Sequence, residues 1–248
     1  MPYHERTVAV EMNMKRPVAA ALVSGLTAAV LTSAVAASAT VETIKYPPFS
    51  AYSMNREAEI ALARSAAPDQ ISGRATVKIL GISGYVVAAE GDNGFVCIVM
   101  RGWGAPTYTV PTRDLVYDAA VRAPICYDQV AARTVLPYQE LRTKLAIEGK
   151  TPDQIAGGVQ AAYAKAELPK MELAFAYMFS ADMNLGPGVG HFHPHMMVFA
   201  PYYNNAMLGG NLHDSMLPRN TDDEGTPFAV IVIPVDRELA VKSKVSAN

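Results

Sequence analysis

The sequence predicts an α+β fold: a largely antiparallel sheet with a helical hairpin inserted between two groups of strands. Three observations carry that expectation. Strand-like runs rich in Val and Ile cluster at 75–101 and again at 173–235. Between the clusters lie two segments with helical signals, joined by a short link. No regular strand–helix–strand alternation runs through the chain, which argues against a parallel doubly wound sheet.

Composition narrows the classes. The chain has 248 residues, of which 50% are hydrophobic and 18% charged, with a formal net charge of −2. So high an apolar fraction excludes a disordered chain, and so small a charge excludes a strongly basic nucleic-acid binder. Two cysteines exclude a disulfide-dense scaffold and a four-cysteine zinc site.

The N-terminus reads as an export signal. Lys15 and Arg16 precede an uncharged stretch that ends in Ala37-Ser38-Ala39. A positive n-region, an apolar h-region and an A-x-A site are the parts of a secretory signal peptide, here 1–39 with cleavage before Thr40. Glu5 and Glu11 suit an n-region poorly, so Met14 is the better start. The stretch is nearly long enough to span a bilayer, but it is rich in Ala, Ser, Thr and Gly. Cleavage is therefore expected over a retained anchor, leaving no stable membrane span. Residues 40–248 then form one α+β domain, exported to the periplasm or beyond.

The elements follow in order. Residues 40–52, with Pro47-Pro48, read as an extended lead-in. Residues 55–66 read as a helix stopped by Pro68. Strands are expected at 75–80, 85–90 and 95–101. Gly81-Ile82-Ser83-Gly84 reads as a turn. Gly91-Asp92-Asn93-Gly94 reads as a hairpin, because Asn-Gly tolerates positive φ. Residues 102–123 look irregular. A helix opens at Pro137 and ends at Gly149. Thr151-Pro152-Asp153-Gln154 is a capping box with proline at the first helical position, so a second helix runs from there to about Glu167. Strands are expected again at 173–180, 194–200 and 228–235, with a frayed tail after Glu238.

Export makes a disulfide permissible, and Cys97 and Cys126 are the pair available for it. Such a bridge contributes about 2–4 kcal/mol. The alternative is two separate buried thiols.

The chemically interesting cluster is Gly190-His191-Phe192-His193-Pro194-His195-Met196. If extended, this segment places His191, His193 and His195 on one face, and neutral imidazole suits zinc or copper. The outer two stand about 13 Å apart along a strand, so two of the three would converge on an ion with ligands from elsewhere. His193 with His191 or His195 is the expected pair, and His213, Asp182 and Asp214 are the nearest further donors. Met171, Met178, Met183, Met196, Met197, Met207 and Met216 lie near in sequence and add a thioether hint toward copper(I), although methionine also fills cores. The alternative for the histidines is a polar surface strand.

Three functions follow as expectations: an exported metal-dependent hydrolase, with metal-activated water; a non-catalytic envelope binding protein, with the aromatic loop Trp103 to Tyr117 holding a small apolar ligand or a partner and the histidines as a surface patch; or a copper chaperone or buffer. The catalytic residues and the oligomeric state stay open. Gly186-Pro187-Gly188-Val189-Gly190 reads as a flexible connection, and Tyr202-Tyr203-Asn204-Asn205 as a turn at a site mouth.

Overall fold

The computed structural model describes residues 47–104, 118–186, 190–210, 217–220 and 223–242. The export signal, much of the aromatic loop, His213, Asp214 and the end of the tail lie outside the described residues. The fold is mixed α+β. An eight-stranded sheet runs in the order β2-β1-β3-β4-β5-β6-β8-β7. Its strands are β1 Thr76–Gly81, β2 Gly84–Ala89, β3 Val96–Met100, β4 Ala123–Tyr127, β5 Ala174–Met178, β6 His195–Phe199, β7 Arg219–Asn220 and β8 Val230–Pro234. β1 and β3 run parallel, and the other adjacent pairs run antiparallel.

The first strand group departs from the expected meander. The hairpin forms at Ile82-Ser83, between β1 and β2, with Gly81 opposite Gly84. The Asn-Gly segment makes no hairpin, and β3 lands on the far side of β1. Local chemistry explains the difference. Asp92 pairs with Arg74 at 2.9 Å, and its N–H donates to the Arg74 carbonyl. Asn93 donates to the Ile71 carbonyl at 2.8 Å and accepts from the Phe95 amide at 3.1 Å. These bonds hold residues 91–94 across the start of β1. A Cβ on Gly91 would sit 2.2 Å from the Thr76 nitrogen, so the crossing admits glycine alone.

Helices come before β1 and between β4 and β5. Phe49–Tyr52 is a single helical turn, α1, where an extended lead-in was expected. α2 spans Arg56–Arg64, with the Asn55 side chain accepting from the Glu57 and Ala58 amides, and α3 spans Asp69–Ser72. After β4 come α4 Gln129–Thr134, α5 Leu136–Ile147 and α6 Pro152–Ala164. The capping box at Thr151 and Gln154 is present. α5 and α6 meet closely: a Cβ on Gly158 would lie 2.9 Å from Leu145 Cδ1. The expected pair is thus preceded by a third helix, α4, capped by Asp128.

Strand β4 escaped notice because Ala123-Pro124-Ile125-Cys126-Tyr127 is buried on both faces and shows no alternation. Cys97 and Cys126 face each other in the β3–β4 register, 4.0 Å apart at Cα, with their sulfurs at disulfide distance.

The sheet has an apolar layer on each face. One contains Ile98, Ile125, Tyr127, Ala176, Met197, Phe199 and Val230, covered by residues of α4, α5 and α6. The other contains Val77, Cys97, Val99 and Cys126 under Leu62 and Ala63 of α2. An ion pair also binds α2 to the sheet. Arg101 donates to Glu59 at 2.8 Å and to the Tyr52 carbonyl at 3.0 Å, while Glu59 accepts from the Leu80 amide at 3.0 Å. No helix among the described residues is long and apolar enough to cross a membrane.

Candidate functional site

The histidine segment enters β6 from an irregular approach. Leu185 donates to the Gly190 carbonyl, and Gly190 adopts φ 61°, which a side chain would resist. Strand geometry begins at His195, so His191 and His193 lie outside β6 and the expected extended run of three is corrected. Pro194 is the physical reason: it contributes no amide to a ladder, and its carbonyl instead accepts from Val235 at 2.9 Å. His191 is exposed, His193 half-buried and His195 buried.

Each ring has a distinct partner. His191 Nδ1 lies 2.8 Å from the Met183 carbonyl, and His195 Nδ1 lies 2.8 Å from the His193 carbonyl. A carbonyl oxygen only accepts, so each Nδ1 donates and each Nε2 keeps its lone pair. His193 is the reverse case. Arg237 Nε donates to His193 Nδ1 at 3.1 Å, so the neutral His193 ring carries its proton on Nε2 and offers a donor. Arg237 sits in the 3-10 turn Arg237–Leu239, whose start is capped by Asp236.

Phe192 ties the rings together. Its ring meets His195 edge-on at 5.0 Å between centroids, and the Arg219 guanidinium lies 5.9 Å from the Phe192 centroid. Burial pushes the His195 pKa down to about 4; the bond to the His193 carbonyl opposes the shift, and the Arg219 charge adds to it.

The other sequence candidates separate. Asp182 is half-buried, and its amide donates to Ser180 Oγ. Among the described residues no group of three or more His, Cys, Asp or Glu side chains could hold a metal ion. Met171, Met178, Met183 and Met197 are core residues, and Met207 is exposed. Trp103 is buried against Tyr52, 4.3 Å between centroids, and donates to Thr143 Oγ1 at 3.2 Å. It packs in the interior rather than presenting a face to a ligand.

Sequence reasoning missed Arg219 and Arg237, which stand 24 and 42 positions beyond His195 with no spacing pattern to mark them. It also missed the Glu59–Arg101 pair, whose one signal is an arginine closing the apolar run 95–101. Comparisons with protein families, with curated proteins and with solved structures find no match for this chain.

Proposed function

We propose that the chain is an exported binding protein whose ligand site is built on His193 and Arg237, with Arg219 nearby over Phe192, and that it takes a small molecule through an anionic group, a carboxylate or a phosphate. The observation that carries this reading is the Arg237–His193 hydrogen bond, which holds a guanidinium against His193 Nδ1 and leaves Nε2–H as a donor on the other side of the ring. Paired cationic and neutral donors of this kind recognise oxyanions through charge-assisted hydrogen bonds. Export rests on the n-region, h-region and Ala37-Ser38-Ala39 pattern.

The test is calorimetric titration of the tag-free mature protein with phosphate and with small mono- and dicarboxylates. Saturable binding that is lost in Arg237→Gln supports the reading. Absence of binding across that panel overturns it.

A second reading keeps the metal. His191 and His195 both bond a main-chain carbonyl through Nδ1, the arrangement that orients a histidine ligand and leaves Nε2 for an ion. Zinc with an open position would make a hydrolase, and copper(I) a buffer. In this reading His193 is not the central ligand. Elemental analysis showing near one equivalent of zinc or copper, lost in His195→Ala but kept in Arg237→Gln, would favour it over anion binding.

A further inference from the structure

Asn93-Gly94 is the one place in the sequence where asparagine precedes glycine. An asparagine side chain is open to attack by the main-chain nitrogen of the residue that follows it. Most side chains crowd that nitrogen, and glycine leaves it bare. The fold requires both members of this pair. Gly94 adopts φ 78°, which a side chain would resist, and Asn93 ties the crossing of residues 91–94 to the start of β1. The nucleophile is exposed and free: no hydrogen bond among the described residues uses the Gly94 N–H.

The electrophile is tied at both ends. Asn93 Nδ2 donates to the Ile71 carbonyl at 2.8 Å, and Oδ1 accepts from the Phe95 amide at 3.1 Å. Ring closure draws Cγ onto the Gly94 nitrogen and expels Nδ2, so the fold resists it through these bonds. The neighbouring residue reinforces them, since the Asp92 amide donates to the Arg74 carbonyl at 3.0 Å.

We propose that Asn93 is a deamidation site, locked while residues 91–94 lie across β1 and released when they lift away. The Gly94 nitrogen bonds to Asn93 Cγ, the Cγ–Nδ2 bond breaks, and Nδ2 leaves as ammonia with the proton from the Gly94 nitrogen. Water then opens the resulting succinimide at either carbonyl, giving aspartate or isoaspartate and one new carboxylate. The product cannot remake the lock. It has no amide to donate to the Ile71 carbonyl, and its carboxylate stands one residue from that of Asp92. Isoaspartate also reroutes the main chain beside Gly91, where a Cβ would already sit 2.2 Å from the Thr76 nitrogen. A transient opening is thereby recorded as a permanent loss of the crossing.

The experiment uses the full chain, kept folded or held in urea at the same mildly alkaline pH and temperature. Peptide mapping by mass spectrometry follows conversion at Asn93. Conversion is expected to be slower in the folded protein by about tenfold or more, the weight of two hydrogen bonds. The deamidated form, separated on ion exchange by its added negative charge, is expected to melt at a lower temperature than its parent. Equal rates in the folded and unfolded chain overturn the lock. Asn93 left intact in urea overturns the site itself, and a deamidated form that melts with its parent overturns the loss of the crossing.

Discussion

Arg101 lies against Glu59 at 2.8 Å with side-chain exposures of 0% and 2%, so the two charges neutralise each other inside the protein. Arg101 also bonds the Tyr52 and Val99 carbonyls, and Glu59 accepts the Leu80 amide that the short β1–β3 ladder leaves unpaired. The pair joins α1, α2 and the strands β1 and β3. Breaking it strands a buried charge. Arg101→Met alone is expected to cost about 3–5 kcal/mol, and adding Glu59→Leu should recover much of that loss. Urea denaturation of the two variants checks both numbers.

The crossing of residues 91–94 over β1 depends on a missing side chain. Gly91→Ala would place a Cβ 2.2 Å from the Thr76 nitrogen and 2.4 Å from the Arg74 carbonyl oxygen. Both contacts are backbone and cannot swing aside. A loss of about 2 kcal/mol or more is expected, against less than about 0.5 kcal/mol for Gly157→Ala, which has nothing within 4 Å and gains helix propensity. Thermal melts of the pair make the comparison.

The crossing also shows where the sequence was legible. Helix α6 was readable from four residues, because a capping box is satisfied locally and needs no distant partner. The Ile82-Ser83 turn was readable for the same reason. The Asn-Gly segment misled, because Asp92 and Asn93 spend their side chains on Arg74 and Ile71, and no local pattern announces that choice. β4 was hidden by burial on both faces. At the site, the histidine cluster was visible as composition, but its geometry was not: Pro194 delays the strand, Arg219 comes from β7 to lie over Phe192, and Arg237 comes from a distant 3-10 turn to set the proton of His193.

Cys97 and Cys126 occupy opposite positions on neighbouring strands, 29 residues apart in sequence and fully buried. The double variant Cys97→Ala/Cys126→Ala is expected to lose about 2–4 kcal/mol relative to the oxidised protein. Because a bridge leaves neither sulfur as a thiol, oxidised protein should show no thiol to an alkylating reagent, before or after unfolding. Mass spectrometry after alkylation under denaturing conditions reads this directly, and two alkylated cysteines would contradict it.

His195 makes stability depend on pH. An unfolded histidine titrates near about 6.5, and burial holds His195 at about 4 in the folded chain. Between those values the unfolded state binds the extra proton. Stability therefore falls as pH is lowered through this window, by up to about 3 kcal/mol at its acid end, and is restored toward neutrality. The difference between wild type and His195→Gln, followed by urea denaturation from pH 7 to pH 4, should carry this slope. A difference independent of pH would show that His195 is not buried as a neutral ring.

The central claim is that His193 and Arg237 together form an oxyanion site. Its most direct measurement is the protonation of the His193 ring, read from imidazole nitrogen shifts by NMR at neutral pH, with and without phosphate. The account predicts a neutral ring protonated at Nε2, a shift of that nitrogen on adding phosphate, and loss of both features in Arg237→Gln. A ring protonated at Nδ1, with Nε2 responding to zinc and indifferent to phosphate, would contradict it.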